Sequence, residues 1–532
     1  MLGIAGFLAG IMPFAMGASA QAAPDDAAAK MQIDQANKAL EDNQPKDPLI
    51  ARGKYLATVG DCSACHSAKD GRDYAGGQYM PTPFGPISTP NITPDKETGI
   101  GDWTDDQFVR LFHEGLGKNG EHIYPVMPYP WFTKVSRDDA LAIKAYLFSL
   151  QPVHAPRLPN HLAFPFNVRA GLAVWDQLFL KEGVFKPDPS KSAEINRGAY
   201  LVEGLGHCGE CHNGRNLLGD TQMAQSLRGG PIQDWYAPNI TSDMQNGIGK
   251  YSDDQVFSFL KTGVAPGMGV VAGPMSQTVH ESLSKLTDAD VHAIVAYLKS
   301  TPAEPSYTGK QDAAFTGPQA AGAQVYLNNC ASCHQLDGKG IGENVPSLVN
   351  NGAVLANGPE DVIRVILSGI EAQATYAPMP AVSVGMTDQQ IADVTNYVRQ
   401  SWGNKAPANA GPGTVGKLRA TSFSAMNIGP NGHCDTVVQP DLARVINDPK
   451  SGIMDALRSM TLENVLQTAG QVVSKVKAAA PQAKRADIVN SLTIAYCPIV
   501  QANSTVAENQ KVAELDNFSE RVYSELQTAG KE

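Results

Sequence analysis

The chain has 532 residues, a formal net charge of −11 from 42 Lys+Arg against 53 Asp+Glu, and 42% hydrophobic residues. That length allows several domains, and the acidic balance excludes a nucleic-acid binder, which needs a basic stripe. After the N-terminus no stretch approaches the length of a spanning helix, so membrane association is expected to be peripheral or through a partner.

Residues 1–22 read as a secretory signal. An apolar run from Leu2 to Ala20 ends in small residues, and both Ala18-Ser19-Ala20 and Ala20-Gln21-Ala22 fit a cleavage site. No Lys or Arg precedes the run, so either the true start lies upstream or the signal is weak. An uncleaved anchor is the rival, and Pro13 with the many small residues argues against it. Residues 23–47 are expected to be a linker, and the mature chain is expected in the periplasm.

Next come three copies of one pattern: Cys62-Ser-Ala-Cys65-His66, Cys208-Gly-Glu-Cys211-His212 and Cys330-Ala-Ser-Cys333-His334. On a helix, positions three and four apart share a face. Two thiols a turn apart can reach the two vinyl groups of one porphyrin, and the next-residue histidine falls beneath the iron as proximal ligand. A zinc site needs its cysteine pairs closely spaced, but these stand more than a hundred residues apart. A thioredoxin-like site would not recur three times with histidine always fifth. The cofactor expectation is three covalently bound haem c groups, in a protein that moves electrons.

The motifs sit in longer repeats. Arg52-Gly-Lys-Tyr-Leu precedes the first and Arg197-Gly-Ala-Tyr-Leu the second. Pro90-Asn-Ile-Thr and Pro238-Asn-Ile-Thr follow them, and are read as loops packed over the porphyrin. Each copy closes with a capped helix beginning at Ser136, Thr287 or Thr387, the last a capping box with Gln390. A first helix leading to the motif and a last helix packed on it describe a small cytochrome fold. The fold class is therefore all-α: three tandem class I-like cytochrome c domains plus a C-terminal helical accessory domain. The boundaries are 48–155, 191–303 and 318–403 for the three domains, with linkers at 156–190, 304–317 and 404–420. The first linker holds a short apolar helix around 172–180, whose Trp175 and Phe179 are read as interdomain core.

The repeat also locates a sixth iron ligand, because methionine is the usual partner of histidine in cytochromes c. Met127 and Met275 each stand twelve residues beyond a helix-ending glycine, Gly115 and Gly263, and Met379 follows Gly369. Flanking prolines suggest a stiff loop that presents sulfur to the iron. Met80, Met268 and Met386 are nearby but not equivalent between copies, and His113, His122, His280 and His292 are rival ligands in copies one and two.

Residues 421–532 lack the motif and read as helices at 442–445, 453–460, 462–476, 486–495 and 506–526. The two cysteines outside the motifs, Cys434 and Cys497, are expected to form one disulfide, with two separate buried thiols as the alternative.

Across about 45–403 the three motifs, the two Asn-Ile-Thr segments and Tyr-Pro-Val-Met127-Pro-Tyr-Pro resemble the triheme cytochrome c subunit of periplasmic dehydrogenase complexes. Such complexes oxidise alcohols, gluconate, fructose or sorbitol, or aldehydes. The resemblance implies electron transfer without substrate chemistry of its own. Electrons would come from a catalytic dehydrogenase partner carrying PQQ, flavin or molybdenum and pass to ubiquinone or another acceptor. The tail beyond 403 departs from the family. Two alternatives stay open: a peroxidase-like haem enzyme with one open iron, and a freestanding periplasmic electron shuttle.

Overall fold

The computed structural model describes residues 45–526 apart from 69–70, 222–225, 308–320, 343, 375, 384–385, 422–427, 430–432, 435–439, 462–463, 484 and scattered positions after 506. The signal, most of 23–47 and most of 304–317 lie outside the described residues.

Each repeat is built on one crossing. In copy one α1 (Pro48–Val59) leads to the motif helix α2 (Cys62–His66), then α3 (Asp105–Glu114), α4 (Tyr129–Phe132) and α5 (Arg137–Ser149). The strap that follows carries α6 (Gly171–Phe179). Copy two repeats the order with α7 (Ala193–Tyr200), α8 (Gly209–His212), α9 (Asp253–Thr262), α10 (Gly273–Glu281) and α11 (Asp288–Ser300). Copy three has α12 (Ala321–Asn329), α13 (Ala331–His334), α14 (Glu360–Ser368) and α15 (Asp388–Gln400). First and last helices touch where a glycine sits: a Cβ on Gly53, Gly198 or Gly322 would collide with the backbone carbonyl of Ala142, Ala293 or Asp393. Only glycine allows that approach of two backbones. The last helices begin as expected, with Ser136, Thr287 and Thr387 each accepting a backbone N–H from the third residue on.

The described residues are mostly helical, as expected, with a few short strands between the helices. Among the described residues four two-stranded ribbons appear, two of them in the segments inserted after the first and second motifs. There Tyr79–Met80 pairs with Ile87–Ser88, and Gly230–Ile232 pairs with Trp235–Ala237. Helical periodicity does not reveal a ribbon this short, whose function is to turn the chain back toward the motif.

Copies one and two interlock through a reciprocal clasp. Asp139 binds Arg52 of its own copy at 2.6 Å and accepts from the Tyr200 hydroxyl of the other at 2.6 Å. Asp290 mirrors this, binding Arg197 at 2.7 Å and accepting from Tyr55 at 2.6 Å. One hydrophobic core runs through both, from Leu56, Phe112 and Ile143 to Leu205, Leu286 and Ile294. Copy three docks on copy two through the first turn of α14. The Tyr236 N–H donates to Asp361 Oδ1 at 2.8 Å, and Arg364 meets Asp234 at 3.0 Å. Burial pushes the Asp361 carboxyl up to about 7; the Tyr236 N–H and Arg399 oppose this, and Glu360 adds to it. The folded chain therefore holds a proton that the unfolded chain releases near pH 4, so stability falls as pH rises from about 4 to 7. We expect the unfolding midpoint of this junction to drop across that range, by up to about 1.4 kcal/mol per pH unit. Denaturant titrations of Asp361→Asn beside the parent should show a flatter slope, and an unchanged slope would refute the assignment.

The stretch 404–420, expected as a linker, is part of copy three. Its helix α16 (Pro412–Thr421) buries Val415 and Leu418 on the copy-three core. Asn396 brackets Ala410, donating to its carbonyl and accepting from its N–H, and Arg399, fully buried, donates to the carbonyls of Pro407 and Gly358. Side chains of the preceding helix thus order a segment whose Pro/Gly content alone reads as flexible.

The C-terminal region packs α17 (Pro440–Asn447), α18 (Ile453–Arg458), α19 (Val465–Ala479) and α20 (Arg485–Ala502) around a second core. The last of these runs past Ala495, the expected end, and contains Pro498; the expected helix at 506–526 is only partly among the described residues. Cys434 and Cys497 are disulfide-bonded across 63 residues. Replacing both with serine removes that loop closure and should destabilise this region by about 4 kcal/mol. A chemical-denaturation midpoint that did not move would contradict it. Ala372 and Ala377 of copy three pack into the same core, so the tail leans on the loop before Met379.

Candidate haem sites

The three motif histidines share one arrangement. His66 Nδ1 lies 2.8 Å from the Pro90 carbonyl, His212 Nδ1 2.7 Å from that of Pro238, and His334 Nδ1 3.3 Å from that of Pro346. A carbonyl only accepts, so Nδ1 carries the proton and Nε2 keeps its lone pair. Burial pushes all three rings toward the neutral form. This is how metal-ligating histidines are held: one nitrogen tied to a carbonyl, the other offered to the metal.

The ribbons deliver those carbonyls. The strand Ile87–Ser88 runs out through Thr89 to Pro90, and Trp235–Ala237 is followed at once by Pro238. In copy three a bridge between Ile341 and Val345 brings round Pro346. The Asn-Ile-Thr segments, expected over the porphyrin, brace this turn on the histidine side. Asn91 accepts from Thr93 at 2.9 and 2.8 Å and donates to the Val153 carbonyl at 2.7 Å. Asn239 does the same with Thr241 and the Glu304 carbonyl. The proline carbonyls are functional groups that sequence reasoning missed. The signal was present, since a proline precedes Asn-Ile-Thr in both copies.

The motif helices are single turns in which His212 and His334 donate their N–H to Cys208 and Cys330 at 3.0 and 2.9 Å. That bond stacks first cysteine and histidine on one face. Five of the six motif cysteines are half-buried and Cys333 is exposed. Two thiols and one imidazole with a free Nε2, recurring three times, fit an iron porphyrin held by thioether bonds. Among the described residues no cluster of His, Cys, Asp and Glu suits a bare metal ion.

The methionine segments agree in copies one and two up to the sulfur. Gly115 and Gly263 end α3 and α9 in left-handed conformation, with φ of 65° and 79°. Their carbonyls accept from Ile123 and Val271 at 2.9 and 2.8 Å, and Met127 and Met275 both stand four residues further on. Met127 lies in a turn before α4. Met275, expected in a stiff loop, lies instead in the first turn of α10, where Pro274 suits a helix start. In copy three Met379 pairs its own N–H and carbonyl with Ile370 at 2.9 and 2.8 Å. All three methionines are half-buried.

The rivals are engaged elsewhere. His113 Nε2 contacts the Val135 carbonyl at 2.8 Å and His122 Nδ1 contacts Asp176 at 2.5 Å. His280 is exposed, and His292, also exposed, stacks on Phe257. Met80 pairs with Ile87 in a ribbon, Met268 is buried in the core of copies one and two, and Met386 packs on the core of copy three.

The sites adjoin one another. Trp131, four residues past Met127, lies against Gly209 of the second motif and donates to Glu210 at 3.0 Å. Reciprocally, Ser282 at the end of α10 donates to the Val59 carbonyl just before the first motif at 3.3 Å. Gln373, six residues before Met379, donates to the Val271 carbonyl, four residues before Met275, at 2.7 Å. Trp175 and Phe179, expected as interdomain core, are half-buried; Trp175 touches both copies, its ring meeting Tyr129 edge-on and its N–H donating to the Leu218 carbonyl at 2.9 Å.

The cytochrome c family pattern matches residues 50–151, 195–302 and 319–402. The chain is 37% identical over 420 residues to the cytochrome c subunit of a quinone alcohol dehydrogenase from Gluconobacter oxydans, covering 74% of this chain and 88% of that one. It is 38% identical over 405 residues to the gluconate 2-dehydrogenase cytochrome c subunit of Pantoea cypripedii, covering 72% and 92%. One polypeptide of the nicotinate dehydrogenase of Pseudomonas putida is 39% identical over 378 residues, 68% of this chain but 31% of that longer protein, so the chain spans about a third of its length. With three matched segments, each enclosing a Cys-x-x-Cys-His motif whose histidine is tied through Nδ1 to a proline carbonyl, the chain belongs to the cytochrome c family.

Proposed function

We propose that this chain is the triheme electron-carrying subunit of a periplasmic dehydrogenase complex. Three tandem domains hold haem c at Cys62 and Cys65, Cys208 and Cys211, and Cys330 and Cys333. His66, His212 and His334 are the proximal ligands, and Met127, Met275 and Met379 the distal ones. The observation that carries the reading is the threefold Nδ1–carbonyl bond, which readies each Nε2 for iron. Bound haem c supplies a one-electron couple. The chain's own residues orient the imidazole through the proline carbonyl, hold sulfur opposite it and exclude water with the surrounding core. Contacts from Trp131 to Gly209 and from Gln373 to Val271 support a reading in which the sites work in series.

Electrons enter from a catalytic partner that carries PQQ, flavin or molybdenum and leave to ubiquinone or another acceptor. Relatives named as cytochrome c subunits of alcohol, gluconate and fructose dehydrogenases support a dehydrogenase partner. Among the described residues no helix is long and apolar enough to cross a membrane. The test is purification of the tagged chain from its native membranes. A dehydrogenase should come with it, and that enzyme's substrate should reduce all three haems before quinone is added. Brisk peroxide turnover by the isolated chain would install the haem-enzyme reading instead, and recovery as a lone monomer the shuttle.

A further inference from the structure

The strap between copies one and two carries a helix built inside out. Asp176 is the one charged residue of α6 and its one buried residue, while Val174 and Leu178 face solvent. A carboxylate taken out of water is costly unless its oxygens are bonded. Both are. His122 Nδ1 lies 2.5 Å from Oδ2, and the Tyr129 hydroxyl donates to Oδ1 at 2.7 Å.

Those two partners bracket Met127, five residues before it and two after. His122 closes the hairpin with Leu116, and its carbonyl accepts from Arg169 of the strap at 2.7 Å. Tyr129 is fully buried, and its ring packs so closely over Gly115 that a Cβ there would stand 2.6 Å from it. One side chain, about fifty residues further along the chain, thus ties down both ends of the first distal segment. Copy two has Val270 and Gln277 at the positions of His122 and Tyr129, so it cannot build the same latch.

We propose that Asp176 is a positioning residue for the first haem: through His122 and Tyr129 it fixes the segment that keeps the Met127 sulfur on the iron. The inference rests on Met127 being the distal ligand. A carboxylate here does by hydrogen bonding what Pro274 and the helix α10 do for Met275.

The test compares Asp176→Ala, Asp176→Asn and Met127→Ala in the full-length, three-haem protein. The readouts are carbon monoxide binding, the far-red sulfur-to-ferric-iron band and the three reduction potentials. Asp176→Ala should open one haem in three to carbon monoxide, as Met127→Ala does, lose one share of the far-red band and lower one potential alone. Asp176→Asn still accepts from Tyr129 and can donate to His122, so it should restore the parent spectrum. A role in stability alone would lower the melting temperature and leave potentials and band in place; that result overturns the proposal. If Met127→Ala itself leaves every haem closed, the ligand assignment falls and the positioning role with it. If Asp176→Ala does not accumulate with three haems, Tyr129→Phe and His122→Ala each remove one bond of the latch. At least one should then shift a single potential, and no shift in either overturns the proposal.

Discussion

With Met379 as the proposed distal ligand, its replacement by alanine should open the third haem iron to carbon monoxide and lower that haem's potential, leaving the other two as they were. The loop survives the change, because Met379 is held through its own N–H and carbonyl to Ile370 and not through its side chain. Ala372 and Ala377 further anchor it in the core of the C-terminal helices. Between His334 and Met379 the sequence has no other histidine or methionine, and Met386 beyond it packs on the core of copy three. Iron would then lose its thioether and gain an exchangeable position. Methionine raises haem potentials, and ligand choice governs a range of about 0.8 V in haem proteins, so the drop should be a readily measured share of that range. Potentiometric titration with carbon monoxide difference spectra checks it. A variant that binds no carbon monoxide would remove Met379 from the iron.

Much of the site is legible in the sequence because covalent haem attachment leaves a pattern of residue types at fixed spacing. Cys208, Cys211 and His212 need no partner elsewhere in the sequence to be noticed, and recurrence of Arg-Gly-x-Tyr-Leu before two motifs marks the helix that crosses the last one. What the pattern conceals is any role carried by backbone or by distance. The Pro90, Pro238 and Pro346 carbonyls act through an atom every residue has. Asp139 and Asp290 look like first-turn helix acids, and only the fold brings Tyr200 and Tyr55 of the opposite copy to them. The reverse error arises at 404–420. Proline and glycine there suggest slack chain, but composition does not register that Asn396 and Arg399 hydrogen-bond to its backbone. Met275 is a third case: the repeat marks its position, but the proline beside it begins a helix instead of stiffening a loop.

The two-cysteine variants of copies two and three should fail differently. Cys330→Ala with Cys333→Ala removes one haem. Copy three meets copy two chiefly through hydrogen bonds and the Arg364–Asp234 pair, so copies one and two should stay folded around two haems. Cys208→Ala with Cys211→Ala also removes a haem, but from the middle of a shared core. Leu205 and Leu286 lie in one cluster with Leu56 and Phe112, and copy one relies on Tyr200 to bind Asp139 while Asp290 binds its Tyr55. A domain of about 100 residues has little margin once its apolar centre is emptied, since native stabilities run to about 5–15 kcal/mol and each large cavity costs about 2–5 kcal/mol. Losing the second haem should therefore unfold copy two and drag copy one with it. Intact mass with haem absorbance should find a two-haem protein for the first variant and little or no folded holoprotein for the second. Equal yields of two-haem protein from both would show that the clasp between copies one and two contributes little, and that each haem folds its own copy alone.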